Sequence, residues 1–225
     1  MAEYYSENSR LFVAVDCIVF GLDRGELSLL LARRRFEPER GKWSLMGGFV
    51  ESHESIDDAA SRVLTELTGL QNVYMDQVGA FGSVDRDPGD RVVSIAYTAL
   101  IDVAKADGDA IADSGACWIP LRSLPELGFD HPLMIEKSLA KLRRKLESEP
   151  LAFNLLPELF TLTQLQTLYE TILGEEIDKR NFRKRVAELN SIVATDQIDK
   201  TNSRRGARMY RFDREIFSAN PHFKI

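Results

Sequence analysis

The sequence predicts an α+β protein of two domains, in which a layered domain of sheet and helices precedes a smaller domain of helices and a hairpin. Apolar, β-branched runs alternate with two helical patterns in the first two thirds of the chain. A segment with two prolines, 148–158, follows the second of these helices. Two short helical patterns then flank Gly174 and precede two strand-like runs. We therefore assign residues 1–148 and 149–225 to separate domains.

The first domain begins with a predicted hairpin of two buried strands. Residues 11–20 form an almost continuous apolar run, and the turn at 21–25 leads into a second apolar run. A capping box that starts at Ser55 opens a helix over about 56–68. Gly69 is a typical C-terminal stop for this helix.

The rest of the first domain alternates strands with a loop and a helix. Strands are predicted at about 72–83 and 91–102, separated by the turn-rich sequence DRDPGD. The polar stretch 104–115 predicts a surface loop, and residues 116–121 predict a short strand. A helical pattern that begins at His131 follows. The order of strands, helix, strands and helix indicates an α/β/α layered domain.

The smaller domain has the pattern of a winged helix-turn-helix. Thr161 starts a second capping box, and the helix that follows has an apolar stripe and ends at Gly174. Asp178 caps another helix, in which Phe182 and Val186 share one face while basic residues point elsewhere. Two short helices joined around a glycine form a helix-turn-helix, whose second helix recognises DNA. The basic loop DQIDKTNSRRG between two strands is predicted to be the wing.

Charge is distributed unevenly along the chain. Residues 1–150 contain 17 Lys and Arg against 25 Asp and Glu, whereas residues 151–225 contain 12 against 10. An acidic body with a local basic surface is typical of a protein that binds a polyanion at one end. The alternative is a solvated helix face without a partner.

The first ten residues lack the pattern of a secretory signal peptide, and no apolar run approaches the roughly 18 residues that a membrane span needs. We therefore expect a cytoplasmic protein that does not bind membranes. Cys17 and Cys117 lie far apart and outside any Cys/His cluster, which predicts neither a disulfide nor a zinc site. Both cysteines are expected to be buried.

The segment GGFVESHESIDDAASRVLTELTGL resembles the Nudix box, a loop-helix-loop motif of spaced Gly, Glu and Arg residues. The residues on the required positions are Gly48, Glu54, Arg62, Leu64, Glu66, Gly69 and Leu70. The resemblance implies the Nudix fold, in which this motif lies beside a mixed sheet, over roughly residues 8–145.

Two positions depart from the Nudix box, because Val63 and Leu67 replace two of its glutamates. In Nudix hydrolases these carboxylates hold divalent cations that activate the attacking water. Glu66 alone cannot supply the several oxygen ligands of a hard cation. We therefore expect a ligand pocket with no catalytic residues, no bound metal and no cofactor. The alternative is a weak or relocated metal site that uses Glu51 and Glu54.

The chain as a whole resembles the Nudix-related transcriptional regulators, which join a Nudix-like domain to a C-terminal winged helix. The stretches FEPERGKWSLMGGFV, GFDHP and IDKRNFRKRVAE look most like those of the arabinose-responsive regulators of Bacteroides-type bacteria. This resemblance implies a repressor of sugar-utilisation genes that L-arabinose releases from a double-stranded DNA operator. A sister branch senses ADP-ribose and controls NAD metabolism, which gives the alternative effector. A divergent Nudix pyrophosphohydrolase and a non-enzymatic adaptor are further alternatives.

An effector pocket needs convergent polar groups and an apolar wall. An aspartate inside an apolar strand, such as Asp16, requires either a pocket role or a structural arginine partner. For His131 the alternative is a structural role at the helix start, and for Trp43 a place in the core. The candidates from the matching segments are Asp16, Arg34, Trp43, Gly48, Phe49, Glu66, Asp85, Arg86, Asp87, Asp130 and His131.

The DNA-binding candidates lie on the recognition helix and the wing. Arg180 and Asn181 have the chemistry to contact guanine and adenine edges, whereas the wing residues would contact phosphates. The alternative is that these residues only solubilise a protein-binding module. Because one module buries little surface, we expect a homodimer on two half-sites, formed through the larger domain. The candidates are Lys179, Arg180, Asn181, Arg183, Lys184, Arg185, Lys200, Thr201, Asn202, Ser203, Arg204, Arg205 and Arg208.

Overall fold

A seven-stranded mixed sheet forms the centre of the first domain in the computed structural model, which describes residues 7–23, 25–200 and 206–225. Its strands are β1 (Phe12–Asp23), β2 (Glu26–Arg33), β3 (Trp43–Ser44), β4 (Met46–Phe49), β5 (Tyr74–Phe81), β6 (Val92–Ile101) and β7 (Ala116–Pro120). The main path of the sheet runs β3-β2-β1-β6-β5, while β4 pairs with β1 and β7 pairs with β2. Strands β1 and β6 are parallel, and the neighbouring pairs are antiparallel.

Helices cover both faces of this sheet, which confirms the predicted layered fold. They are α1 (Ile56–Thr68), α2 (Gly108–Asp113) and α3 (His131–Leu146). Alternate residues of β1 point to opposite faces, so that Cys17 packs with α1 and Ile18 packs in the core that includes α3. The mixed sheet with helices on both faces is the Nudix-like arrangement.

The end signals of the first helix are those that the sequence predicts. Ser55 accepts a hydrogen bond from the Asp58 backbone and donates its own backbone N–H to the Asp58 side chain. Gly69 ends the helix in the left-handed region, at φ 68°. The stretch predicted as a polar loop instead contains α2. Asp107 caps this short helix by accepting hydrogen bonds from Asp109 and Ala110, a signal that the loop prediction overlooked.

The second domain is a winged helix-turn-helix, as predicted. Its elements are β8 (Phe160–Thr161), α4 (Leu162–Leu173), α5 (Lys179–Glu188), β9 (Ile192–Asp199), β10 (Ala207–Phe212) and α6 (Arg214–Ala219). The three strands form a sheet in the order β8-β10-β9. Strand β9 continues to Asp199, so residues 196–199 of the predicted wing loop belong to the strand. The helix α6 has no counterpart in the sequence-based prediction.

The segment predicted to connect the domains is packed in the interior. Leu151, Leu155 and Leu156 are all buried, and they belong to one hydrophobic cluster that also contains residues of α3 and α4. Among the described residues, Cys17 is buried, but Cys117 is exposed, so the expected burial of Cys117 was wrong. No helix in the described part of the chain is long and apolar enough to cross a membrane.

Candidate functional site

A cleft opens where β1, β4 and the first residue of α3 meet. Its empty volume is about 660 Å³, including the solvent at its mouth. The lining residues are Ala14, Val15, Asp16, Arg34, Phe36, Ser44, Leu45, Gly47, Gly48, Phe49, Arg86, Asp87, Val92, Phe129 and His131.

Asp16 provides a buried carboxylate on the wall of this cleft. Its Oδ2 accepts a hydrogen bond from Ser94 Oγ at 2.6 Å and lies 3.6 Å from Arg86 Nη2. His131 Nε2 lies 3.6 Å from the other oxygen, Oδ1. Burial alone would raise the pKa of Asp16, but the hydrogen bonds from His131 and Ser94 and the positive charge of Arg86 hold it below its ordinary value. The sequence left open whether Asp16 lines a pocket or pairs with a structural arginine. In the structure Asp16 does both.

Arg86 and His131 connect this carboxylate to the start of α3. The Arg86 side chain is 4% exposed, and its Nε and Nη2 donate to the Asp130 carboxylate at 3.1 and 2.8 Å. His131 Nδ1 accepts a hydrogen bond from the Leu45 backbone at 3.2 Å. A neutral imidazole in this position carries its proton on Nε2, which faces Asp16. The first residues of α3 are thus held by the same groups that line the cleft.

Arg34 lies between two aromatic rings at the cleft. Its guanidinium carbon is 5.0 Å from the centre of the Phe36 ring and 4.7 Å from that of Phe129. Its Nε donates to the Pro38 carbonyl at 2.8 Å, which fixes the orientation of the side chain. Phe129 adopts a left-handed backbone at φ 54°, and Phe36 is 67% exposed. The site therefore offers a cation flanked by aromatic faces.

The structure brings most of the predicted effector residues together. Trp43 instead packs against the core with Arg33 over its ring at 4.9 Å. Glu66 has a 63% exposed side chain beside Arg62, and Asp85 is exposed; neither lines the cleft. Asp130 reaches the cleft through Arg86. The predicted residues that line it are Asp16, Arg34, Gly48, Phe49, Arg86, Asp87 and His131.

Sequence reasoning missed the two aromatic residues, Phe36 and Phe129, and the neighbouring Gly47. Both phenylalanines stand in stretches that carry the regulator resemblance, FEPERG and GFDHP. Phe36 is close in sequence to Arg34 and Phe129 to His131, and this proximity could have marked them as cleft residues. A Cβ on Gly47 would overlap Asp16 Oδ1 and lie 2.8 Å from the Val15 carbonyl. Close approach of the backbone to the buried carboxylate therefore requires glycine there.

The charged groups of the Nudix-box motif, which includes α1, pair with one another. Arg62 donates to both oxygens of Glu54, at 3.0 and 2.7 Å, and these bonds lower the pKa of Glu54 to about 2. Val63 is buried, and its Cγ2 lies 3.0 Å from where a Cβ on Gly48 would stand. Leu67 is half-buried in the same apolar cluster. In the ranges that the structure describes, no group of three or more His, Cys, Asp or Glu residues is placed to hold a metal ion.

The recognition helix α5 presents a basic exposed face. Phe182 and Val186 are buried against the rest of the domain. All of the predicted DNA-binding residues of this helix are exposed, as are Lys200 and Arg208 beside the wing. Gly206 has φ 72°, a conformation that favours glycine. The candidates that lie outside the described residues are Thr201, Asn202, Ser203, Arg204 and Arg205. The exposed candidates of α5 are Lys179, Arg180, Asn181, Arg183, Lys184 and Arg185.

Comparison with known proteins identifies both halves of the chain. The NUDIX domain model matches residues 10–141, and the model described as NrtR DNA-binding winged helix domain matches residues 152–212. The ADPR responsive transcriptional repressor NtrR of Acinetobacter baylyi is 34% identical over 225 residues, which cover 98% of this chain and 90% of that protein.

Two solved structures from Shewanella oneidensis are similar to this chain. NrtR complexed with a 27mer DNA has a TM-score of 0.82 at 30% identity, covering 95% of this chain and 97% of that chain. The NUDIX domain of NrtR complexed with ADP ribose has a TM-score of 0.51 at 28% identity, covering 63% of this chain and 97% of that chain. The chain therefore belongs to the Nudix-family transcriptional regulators, in which an NrtR-type DNA-binding winged helix follows the Nudix domain.

Proposed function

We propose that this protein is a transcriptional repressor whose DNA binding is controlled by ADP-ribose in the cleft. The observation that carries the proposal is the whole-length similarity to the Acinetobacter repressor, which is named for its response to ADPR. The Shewanella NUDIX domain complexed with ADP ribose adds support for the same ligand class. Because its target is chromosomal DNA, we place the protein in the cytoplasm.

The chemistry of the cleft suits this ligand. ADP-ribose carries a diphosphate, two riboses and an adenine. Arg34 offers a cation to the diphosphate, and the exposed ring of Phe36 offers a surface on which a base can stack. Asp16 and Ser44 offer polar atoms to ribose hydroxyl groups.

L-arabinose, the effector implied by the sequence resemblance, has no support from these comparisons. It is also the weaker chemical match, because a neutral sugar has no group to pair with the positive charge of Arg34. We therefore favour ADP-ribose, the alternative effector, over L-arabinose.

We further propose that the cleft binds ADP-ribose without hydrolysing it. The Glu54 carboxylate is engaged by Arg62, and an apolar Val63 fills the space beside Gly48. Incubation with ADP-ribose and Mg²⁺ should therefore release no AMP, as followed by chromatography. Turnover that disappears in Glu66→Gln would support the divergent hydrolase instead.

The effector proposal is tested on duplex DNA that the wild-type chain selects from a random pool. Fluorescence anisotropy of this duplex should show that ADP-ribose weakens DNA binding, whereas L-arabinose and AMP do not. A duplex complex that responds to no ligand would remove the effector, and equal binding to any nucleic acid would favour the adaptor.

The role of Arg34 is tested by Arg34→Met, with Arg33→Met as the matched control. Loss of a charged hydrogen-bond partner should weaken ADP-ribose binding by about 10- to 100-fold, measured by calorimetry. Arg33 is adjacent in sequence but faces Trp43 rather than the cleft, so its variant should bind ADP-ribose like the wild type. Equal affinities of both variants would contradict the assignment of Arg34.

A further inference from the structure

Helix α3 extends from the effector cleft to the DNA-binding domain. It has 16 residues, which corresponds to a length of about 24 Å. Its first residue, His131, lines the cleft and contacts Asp16. At its other end, Leu142 and Leu146 are buried in the hydrophobic cluster that also contains α4 residues.

Arg143 joins the end of α3 to the end of α4. Its Nε donates to the Ile172 carbonyl at 2.7 Å. That carbonyl lies in the last turn of α4, where carbonyl groups lack partners within the helix. The last turn of α4 contains no basic residue of its own, so Arg143 supplies the positive charge that a helix C-terminus favours. Tyr169 adds a second connection, because its hydroxyl donates to the Leu146 carbonyl at 3.2 Å.

The end of α4 is in turn fixed to the recognition helix. Gln166 Nε2 donates to the Ile177 carbonyl at 3.1 Å, and the Ile177 backbone N–H donates to Glu170 Oε1 at 3.1 Å. The rings of Tyr169 and Phe182 pack at 5.6 Å between their centres. These contacts hold α4, the turn and α5 together, so a displacement of α4 also moves the basic face of α5.

We propose that α3 transmits the occupancy of the cleft to the recognition helix, with Arg143 as the positioning residue at the joint. This inference rests on the proposed function, since it concerns the response to ADP-ribose. A ligand that engages Arg86 or His131 alters the contacts that hold the first turn of α3. Such differential contacts are what allow a ligand to shift a conformational equilibrium.

The middle of α3 is anchored to the sheet. The hydroxyls of Thr98 and Ser138 lie 2.5 Å apart, and Lys141 pairs with Asp76 at 2.9 Å. A change at the first turn is therefore expressed as a tilt about these anchors. The opposite end of the helix, where Arg143 meets Ile172, takes up the movement.

The test compares Arg143→Met with Arg144→Met. Arg144 is its neighbour on α3 and is exposed like Arg143, but the Arg144 side chain forms no hydrogen bond or ion pair with any described residue, so it is a matched control. The affinity for the selected duplex is measured by anisotropy with and without saturating ADP-ribose. Allosteric coupling is typically about 5- to 150-fold, and we expect Arg143→Met to reduce the ratio of the two affinities to less than about twofold.

Three additional measurements separate coupling from folding and from ligand binding. Calorimetry should give the same ADP-ribose affinity in Arg143→Met as in the wild type, and Arg143→Lys should restore part of the response. Hydrogen exchange of the amides at 172–181 should change on adding ADP-ribose in the wild type and in Arg144→Met, but not in Arg143→Met. Because exchange is measured without DNA, it decides the question even if Arg143→Met binds DNA poorly.

The outcomes distinguish this inference from the proposed function. A wild-type chain whose DNA affinity does not respond to ADP-ribose would overturn both. A wild-type chain that responds, with Arg143→Met responding equally in affinity and in exchange, would overturn the role of α3 and Arg143 alone.

Discussion

Asp16 shows how a charged group is accommodated inside an apolar strand. Its side chain is 11% exposed, and an unpaired carboxylate in such a place would be costly. Ser94 of β6, His131 of α3 and Arg86 of the loop between β5 and β6 stabilise the carboxylate. The sequence could indicate that Asp16 needed a partner, but not which one, because the partners lie 70 or more positions away.

Asp16→Asn should lower stability and change its dependence on pH. Removing one member of a buried charged cluster typically costs on the order of 3 kcal/mol. Because the pKa of Asp16 is lower in the folded than in the unfolded chain, its ionised form stabilises the fold above the unfolded pKa of about 3.9. This stabilisation is lost as the pH falls through the lower, folded pKa.

Urea unfolding at a series of pH values from about 2 to about 7 measures both the loss of stability and its dependence on pH. Wild type should lose stability in acid more steeply than Asp16→Asn. The control is Asp85→Asn, since Asp85 is exposed and outside the cleft. An unchanged pH profile in Asp16→Asn would contradict the assigned charge cluster.

The elements that the sequence predicts well are those whose signals are local. The helix from Ile56 to Thr68 has its capping box and its glycine stop within its own residues. The ring of Phe129 beside Arg34 could not be derived in this way, since Phe129 is far from Arg34 in the chain and reaches it only in the folded protein. The family resemblance therefore suggested many of the residues that line the cleft. The contacts between residues distant in the chain became known only from the structure.

The sequence pattern of the recognition helix α5 predicts which of its sides is buried and which is exposed. Its apolar spacing places Phe182 and Val186 toward the core, and both are buried. At 100° per residue, Arg180 and Lys184 lie on the opposite side of α5. That side faces outward and is available to the major groove.

Arg180→Ala and Arg208→Ala should weaken DNA binding in different ways. An arginine on a guanine edge contributes about 1–3 kcal/mol of discrimination, so Arg180→Ala should relax sequence preference at one position. Arg208, exposed beside the wing, should contact phosphate, and its loss should reduce the salt slope by about one. Anisotropy on the selected duplex and a scrambled duplex, across salt concentrations, separates the two. A uniform loss in both variants would show that Arg180 contacts only the backbone.

The two domains share one continuous hydrophobic core. One hydrophobic cluster contains Met134 and Leu142 of the first domain together with Leu165 and Phe182 of the second. The backbone N–H of Ile225 donates to the Glu147 carbonyl. The prolines of the connecting segment correctly indicated the end of a helix, but its apolar sequence, LAFNLL, predicts burial rather than a flexible linker. This packed junction is the route through which the proposed communication between cleft and DNA would pass.

The regulator is expected to act as a homodimer. One winged helix contacts a short half-site, and specific operators are usually bound by two modules related by a two-fold axis. Sedimentation analysis should therefore show two chains on each selected duplex, and the selected sequences should be near-palindromes with half-sites about one helical turn apart, or a multiple of it. Deleting one half-site should lower the affinity much more than scrambling the spacer, because the two winged helices of the dimer can no longer bind DNA simultaneously. A single chain bound to an asymmetric site with full affinity would contradict the dimer, and the recognition helix alone would then have to account for specificity.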